Sequence, residues 1–227
     1  MEQCTVRLVS TTNPEIEGIE TAEELIGYCA RVSNPSNQQN TDTMPKLLAY
    51  CIRNKHWSIF EMASMCVEIK TSRAIAQQIL RHRSFSFQEF SQRYAAALDM
   101  VSVDLRQQAT KNRQSSTEVF DPMIRGASAS RRLEMQVQHA QELYDDLIEA
   151  GVAKECARMV LPLTTQTTMY MHGTVRSWLS YFNVRLDPHT QKEHQEIALE
   201  IAKIFAEQFP HSAEATEFFH DYTGDFM

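Results

Sequence analysis

Between Ser128 and Gly151 the apolar residues Leu133, Val137, Ala140, Leu143, Tyr144 and Leu147 recur near the helical period of about 3.6 residues. An amphipathic helix of that length must lay its stripe on other elements, so the chain has to build a packed layer around it. Ser128 or Ser130 supplies its N-cap and Gly151 its stop. The same period returns after Gly173 at Val175, Trp178, Leu179 and Phe182. Asp187-Pro188 then breaks the chain, a long helix is predicted from Thr190 to Phe209, and Ser212 caps a last short one.

Earlier helices follow from local signals. Thr21 with Glu24 forms a capping-box pattern for a helix through Leu25, Ile26 and Cys29 to Arg31, stopped by Asn34-Pro35. A second runs from about Met44 to Asn54, with Pro45 in its first turn and Leu47, Leu48, Cys51 and Ile52 on one side. Ser72 caps a third over Arg73 to about His82, and Lys154 to Val160 makes a short one closed by Leu161-Pro162. Strands are predicted at Val6–Ser10, Ala63–Ile69 and the threonine-dense Thr164–Met171. From Ser84 to Glu118 no helical period holds, which predicts an irregular active-site stretch and a mobile loop. No repeat, low-complexity tract or Gly/Ser linker marks a boundary. The expected architecture is a single α+β domain over residues 1–227, mostly helical, with three to five short strands in a small antiparallel or mixed sheet.

Composition narrows the function classes. The chain has 227 residues, enough to bury a substantial core, and no apolar run approaching the ~20 residues of a membrane span. Its N-terminus has neither a basic start nor an apolar h-region, so a cytoplasmic protein is expected. Five cysteines without a Cys-x-x-Cys pair speak against disulfides and zinc and read as mostly buried thiols. A net charge of −7 disfavours a general nucleic-acid binder, so an anionic ligand has to be met by a local cluster.

Such a cluster exists. Gln77 to Tyr94 packs three arginines, one histidine and three serines into 18 residues. A pair of basic residues at a helix end is ordinarily explained by the helix dipole, and Arg81 with Arg83 would fit that reading. Here hydroxyls, an amide and Arg93 follow at once, a donor set suited to phosphate, where each charged hydrogen bond contributes roughly 1.5–3 kcal/mol. Phe85, Phe87, Phe90 and Tyr94 interleave with it, which keeps a module stacking on single-stranded nucleic acid as an alternative. A helical scaffold whose arginines pair with an acidic surface is a second alternative.

Arg81-His82-Arg83, seven residues, then Ser91-Gln92-Arg93 resembles the defining motif of the flavin-dependent thymidylate synthase family, with Gln78 and Glu89 also in place. His56-Trp57-Ser58-Ile59-Phe60-Glu61 resembles its His-x-x-Pro-Phe-Glu element, with Ile59 for the proline. Ala157-Arg158-Met159-Val160-Leu161-Pro162 matches its Ala-Arg-x-x-Leu-Pro element, and Asn183-Val184-Arg185 with His189, Gln191 and Glu193 resembles a further segment. The likeness spans roughly residues 56 to 197. Thr174 and Ser180 stand where family members often carry flavin-contacting asparagines, while Arg176 between them is retained.

The resemblance implies an enzyme that methylates dUMP to dTMP, taking one carbon from 5,10-methylenetetrahydrofolate and a hydride from reduced FAD, which NADPH recharges. It assigns Gln78, Arg81, Glu89, Ser91, Arg93 and Arg158 to the nucleotide. To FAD it assigns His56, Ser58, Arg81, His82, Arg83, Glu89, Thr174, Arg176 and Ser180. Arg185 is the expected catalytic group, lying against the uracil edge and stabilising the ring deprotonated at N3. The resemblance further implies a homotetramer with shared sites; from composition, charge and spacing, no metal, nucleic acid or membrane is expected. No cysteine lies in the arginine cluster to attack the ring, and Cys66 and Cys156 read as core. His189 and His194 read as solvated, Met169 and Met171 as strand packing.

Overall fold

The structure is a computed structural model that describes residues 4–93 and 99–216. Its backbone clusters into two compact units, each entered more than once by the chain. Of the described residues, a mid-chain unit holds Cys4 and Thr5, Ile69–Arg81 and those of Gln88–Met169; a helical unit holds Val6–Glu68, His82–Phe87 and those from Tyr170 to Thr216. Two long strands, β2 (Ser64–Ser72) and β8 (Gln166–Thr174), have residues in both. They are the central pair of a four-stranded sheet ordered β1-β2-β8-β3, with β1 at Thr5–Thr11 and β3 at Ser86–Glu89. In β8, Thr167, Met169, Met171 and Gly173 are buried and alternate with less buried neighbours, the two-residue period of a pleated strand. Met169 and Met171 are therefore strand packing, as expected.

The helical unit is built from α1 (Ala22–Ala30), α2 (Met44–Arg53), a 3₁₀ turn (Trp57–Glu61), α6 (Val175–Arg185), α7 (Lys192–Gln208) and α8 (Pro210–Glu214). The capping box of α1 is present: the Thr21 hydroxyl accepts from the Glu24 N–H at 3.1 Å and the Glu24 carboxylate from the Thr21 N–H at 3.0 Å. Trp178 and Phe182 of α6 and Phe205 of α7 are wholly buried, and the Phe182 and Phe205 rings meet edge-on at 5.2 Å. Burying each such phenylalanine contributes roughly 1.5–3 kcal/mol. Ser212 is not the cap of α8 but lies inside it. The helix start is closed instead by Glu23, 2% exposed, whose carboxylate accepts from the Ser212 N–H at 2.6 Å and the His211 N–H at 3.1 Å. A remote carboxylate satisfies the orphan donors and meets the positive end of the helix dipole.

In the mid-chain unit, Ser72 caps α3 (Arg73–Ile79), which ends before the expected His82, with Leu80 as its C-cap. Arg81 and Arg83 thus follow the helix instead of ending it. The stretch expected to be irregular carries β3 and an antiparallel hairpin of β4 (Arg106–Gln108) and β5 (Ser116–Val119), while residues 94–98, including Tyr94, lie outside the described residues. A second hairpin pairs β6 (Met123–Ile124) with β7 (Ala127–Ser128) through Arg125 and Gly126, at φ 49 and 85. Two successive positive φ values define the turn whose twist suits a two-residue hairpin, and an arginine in its first position hid it. Eight strands thus form among the described residues, against three to five expected. Ser128 caps α4 (Ala129–Glu149), followed by α5 (Lys154–Ala157) and a 3₁₀ turn (Arg158–Val160). Only Ala140 and Tyr144 of the α4 stripe are buried, and Leu143 and Met135 remain exposed.

Cysteine burial also differs from expectation: only Cys51 is buried, Cys4, Cys29 and Cys66 are half-buried and Cys156 is exposed. Cys156 sits on α5, too short to bury both faces. Among the described residues no helix is long and apolar enough to cross a membrane.

Candidate functional site

The predicted site residues fall into two groups, one in each unit. In the helical unit, α6 is the organising element. Its N-cap is Thr174, whose hydroxyl accepts from the Ser177 N–H at 3.3 Å. Ser177 in turn donates from its hydroxyl to the Ser84 carbonyl at 3.1 Å, tying the Arg-His-Arg-Ser stretch to the helix start. Phe85, next in sequence, is 8% exposed and packs edge-on against Trp178 at 4.6 Å. The ring is core, which removes it from any base-stacking surface. Gly173 makes that packing possible, because a Cβ there would sit 2.5 Å from the Phe85 ring.

The last turn of α6 carries Arg185, and its Nε donates to Nε2 of His82 at 2.8 Å, across 103 positions of sequence. An N–H donor requires a lone pair on its partner, so His82 is neutral with its proton on Nδ1. Burial, and secondarily the Arg185 charge, pushes its pKa down to about 4, which agrees. Tyr181, one turn before Arg185, lies edge-on to the His82 ring at 4.9 Å, and its hydroxyl meets Nε2 of His194 at 3.1 Å. His194 is wholly buried, not solvated as its sequence context implied. Burial first, then the charge of Arg185 and the neighbouring His82, holds its pKa at about 3. His189 is exposed as expected, its ring beside Asp187 at 2.8 Å.

Other members of this group are open. Arg176 pairs with Glu61 of the 3₁₀ turn, both about half exposed. His56, Ser58, Arg83 and Ser180 are exposed, His56 edge-on to Tyr50 at 5.8 Å.

In the mid-chain unit, Glu89 at the end of β3 accepts from the Thr167 hydroxyl of β8 at 2.9 Å. The Ser91 hydroxyl accepts from the Arg93 N–H at 3.4 Å, a tight local turn. Arg93 and Arg158 meet one residue, Glu155: Arg93 by its carboxylate at 3.5 Å, Arg158 Nε by its carbonyl at 3.4 Å. Gln78 is half-buried on α3, and Arg81 is exposed. The guanidinium groups of Arg81 and Arg83 make no ion pair among the described residues, so they are free to take an anion.

The sequence reading missed Glu155, Thr167, Tyr181 and His194. Only His194 carried a usable signal: it heads the stripe Ile197, Ala198, Ile201, Phe205 at helical spacing, which predicts burial.

Across residues 8–211 the chain matches the family described as thymidylate synthase complementing protein. It belongs to that family. Among thymidylate synthase complementing protein relatives, it is 52% identical over 220 residues to a flavin-dependent thymidylate synthase of Synechocystis sp., covering 93% of this chain and 99% of that one. It is 50% identical over 214 residues to a probable flavin-dependent thymidylate synthase of Paramecium bursaria Chlorella virus 1, covering 93% and 98%. A solved structure, the UMP/dUMP methylase PolB from Streptomyces cacaoi bound with 5-Br dUMP, superposes with a TM-score of 0.74 at 24% identity, covering 94% of both chains. That likeness shows the same α+β fold.

Proposed function

We propose that the chain is a flavin-dependent thymidylate synthase, a methyltransferase that converts dUMP to dTMP. The carbon comes from 5,10-methylenetetrahydrofolate and the hydride from reduced FAD, which NADPH regenerates. Family membership and the names of relatives at 50% and 52% identity support the activity. The observation that carries it within the molecule is Arg185, a guanidinium held by a neutral imidazole.

Bound flavin supplies the hydride chemistry. The chain supplies position and charge. Arg185 lies against the uracil edge and stabilises the ring deprotonated at N3, so that C5 becomes electron-rich without a covalent enzyme adduct. The buried Cys51 and the half-buried Cys29 and Cys66 fit this route, because burial raises the pKa of all three and so disfavours the thiolate. Arg81, Arg93 and Arg158 take the nucleotide phosphate, and Gln78, Glu89 and Ser91 orient sugar and base. The donor set also fits a flavin: His56, Ser58, Arg81, His82, Arg83, Glu89, Thr174, Arg176 and Ser180 would hold it, the exposed arginines facing its phosphates. The protein works in the cytoplasm as a homotetramer with shared sites, a reading supported by the dispersal of the nucleotide and flavin residues over distant segments of the chain.

The visible spectrum of the purified protein tests this. Flavin absorption near one per subunit, bleached by NADPH and restored on adding dUMP with methylenetetrahydrofolate, with dTMP formed, is the expected result. A colourless preparation that takes up no flavin and forms no dTMP overturns it.

A further inference from the structure

The buried face of α7 runs His194, Ile197, Ala198, Ile201, Phe205, and an apolar side chain at its first position would avoid the cost of desolvating an imidazole. That cost is offset by a bond to Tyr181, itself 1% exposed, whose hydroxyl lies 3.1 Å from His194 Nε2. Tyr181 and Arg185 are four residues apart on α6, so they project from one side of the helix. The His82 imidazole stands between their consequences. Its ring meets the Tyr181 ring at 4.9 Å and 71°, stands perpendicular to the His194 ring at 6.3 Å, and accepts from Arg185 Nε at 2.8 Å. All four residues belong to the helical unit.

We propose that Tyr181 and His194 are positioning residues for Arg185: their hydrogen bond fixes the Tyr181 ring, that ring sets the plane of the His82 imidazole, and the imidazole aims the guanidinium. The inference rests on the catalytic role of Arg185 proposed above. Neither residue touches the substrate in this scheme. A neutral cluster leaves Arg185 with the only positive charge, and both histidines stay unprotonated far below their ordinary range, which keeps it so. A misaimed guanidinium slows turnover more than it weakens nucleotide binding, because the arginine's contribution grows as the ring becomes anionic.

The test uses the flavin-loaded enzyme and three substitutions beside Arg185→Ala. Tyr181→Phe removes one oxygen and keeps the ring; His194→Leu removes the hydrogen-bond partner of the Tyr181 hydroxyl; His194→Gln restores a polar partner. Tyr181→Phe and His194→Leu are expected to lower kcat roughly tenfold, with KM for dUMP changed less than about twofold, and His194→Gln to recover most of the loss. If His194→Leu does not fold, Tyr181→Phe and His194→Gln decide. In an Arg185→Lys background, which lacks the Nε–H, Tyr181→Phe should have no further effect on the single-turnover rate. The proposal is overturned if kcat of Tyr181→Phe stays within about twofold of the parent, or if its loss persists undiminished in the Arg185→Lys background. Either result with Arg185→Ala inactive sinks only the positioning scheme. Full activity in Arg185→Ala sinks the catalytic reading beneath it.

Discussion

The two units hold arginines in opposite ways. In the helical unit Arg185 donates to a neutral histidine that is backed by buried rings, so the fold has set the guanidinium in place before any ligand arrives. In the mid-chain unit Arg93 reaches Glu155 at 3.5 Å with both side chains more than half exposed. Exposed pairs of that kind contribute about 0–1 kcal/mol and are screened by salt. The difference separates two tasks. Stabilising a charge that forms during reaction needs a group that does not have to reorganise, whereas capturing a phosphate tolerates side chains that settle around it.

The contrast predicts a graded series of effects. Arg185→Ala should lower kcat by about 10²–10³-fold while flavin content is retained, measured by steady-state turnover against the visible spectrum. A comparable loss appearing only in KM would erase the distinction between the units. Arg93→Ala should instead raise KM for dUMP by roughly tenfold or more, and the ratio to the parent enzyme should shrink as salt is added. Gly173→Ala tests how closely the helical unit is packed: the new Cβ meets the Phe85 ring at 2.5 Å, so a loss of about 1–3 kcal/mol is expected in chemical denaturation. Glu155→Ala should do least, shifting the melting temperature by no more than about 1–2 °C and lowering KM slightly by releasing Arg93.

Acid should act on the helical unit first. Both His82 and His194 have pKa values depressed to about 4 and about 3 by burial and by Arg185, so the unfolded chain takes up their protons near pH 6.5 while the native fold does not. The stability tied to them is intact above about 6.5 and is lost as pH falls toward 4 and then 3. A urea midpoint that did not move between pH 7 and pH 5 would contradict burial of these imidazoles.

Most helices were legible because their signals are local: Thr21 with Glu24, Ser72 and Ser128 all cap the helices that they announce. The cap of α8 was not, since Glu23 comes from 189 positions away and Ser212 offered a plausible local substitute. The hairpin at Arg125-Gly126 was missed because its first residue adopts positive φ without the asparagine or aspartate that usually advertises it. Within the site, the arginine-dense stretch stood out by composition, but its state of charge did not. That His82 is a neutral acceptor follows from its burial and from the Arg185 charge beside it, and only the fold brings Arg185 to it across 103 positions of sequence.

Nitrogen NMR of the histidine rings, assigned with a His82→Gln variant, reads the protonation of His82 directly. A ring that keeps an unprotonated Nε2 and a proton on Nδ1, and that begins to titrate only near pH 4, is the predicted result. An imidazole that instead takes up its second proton near the ordinary pH 6.5 would mean that Arg185 is not held by the fold.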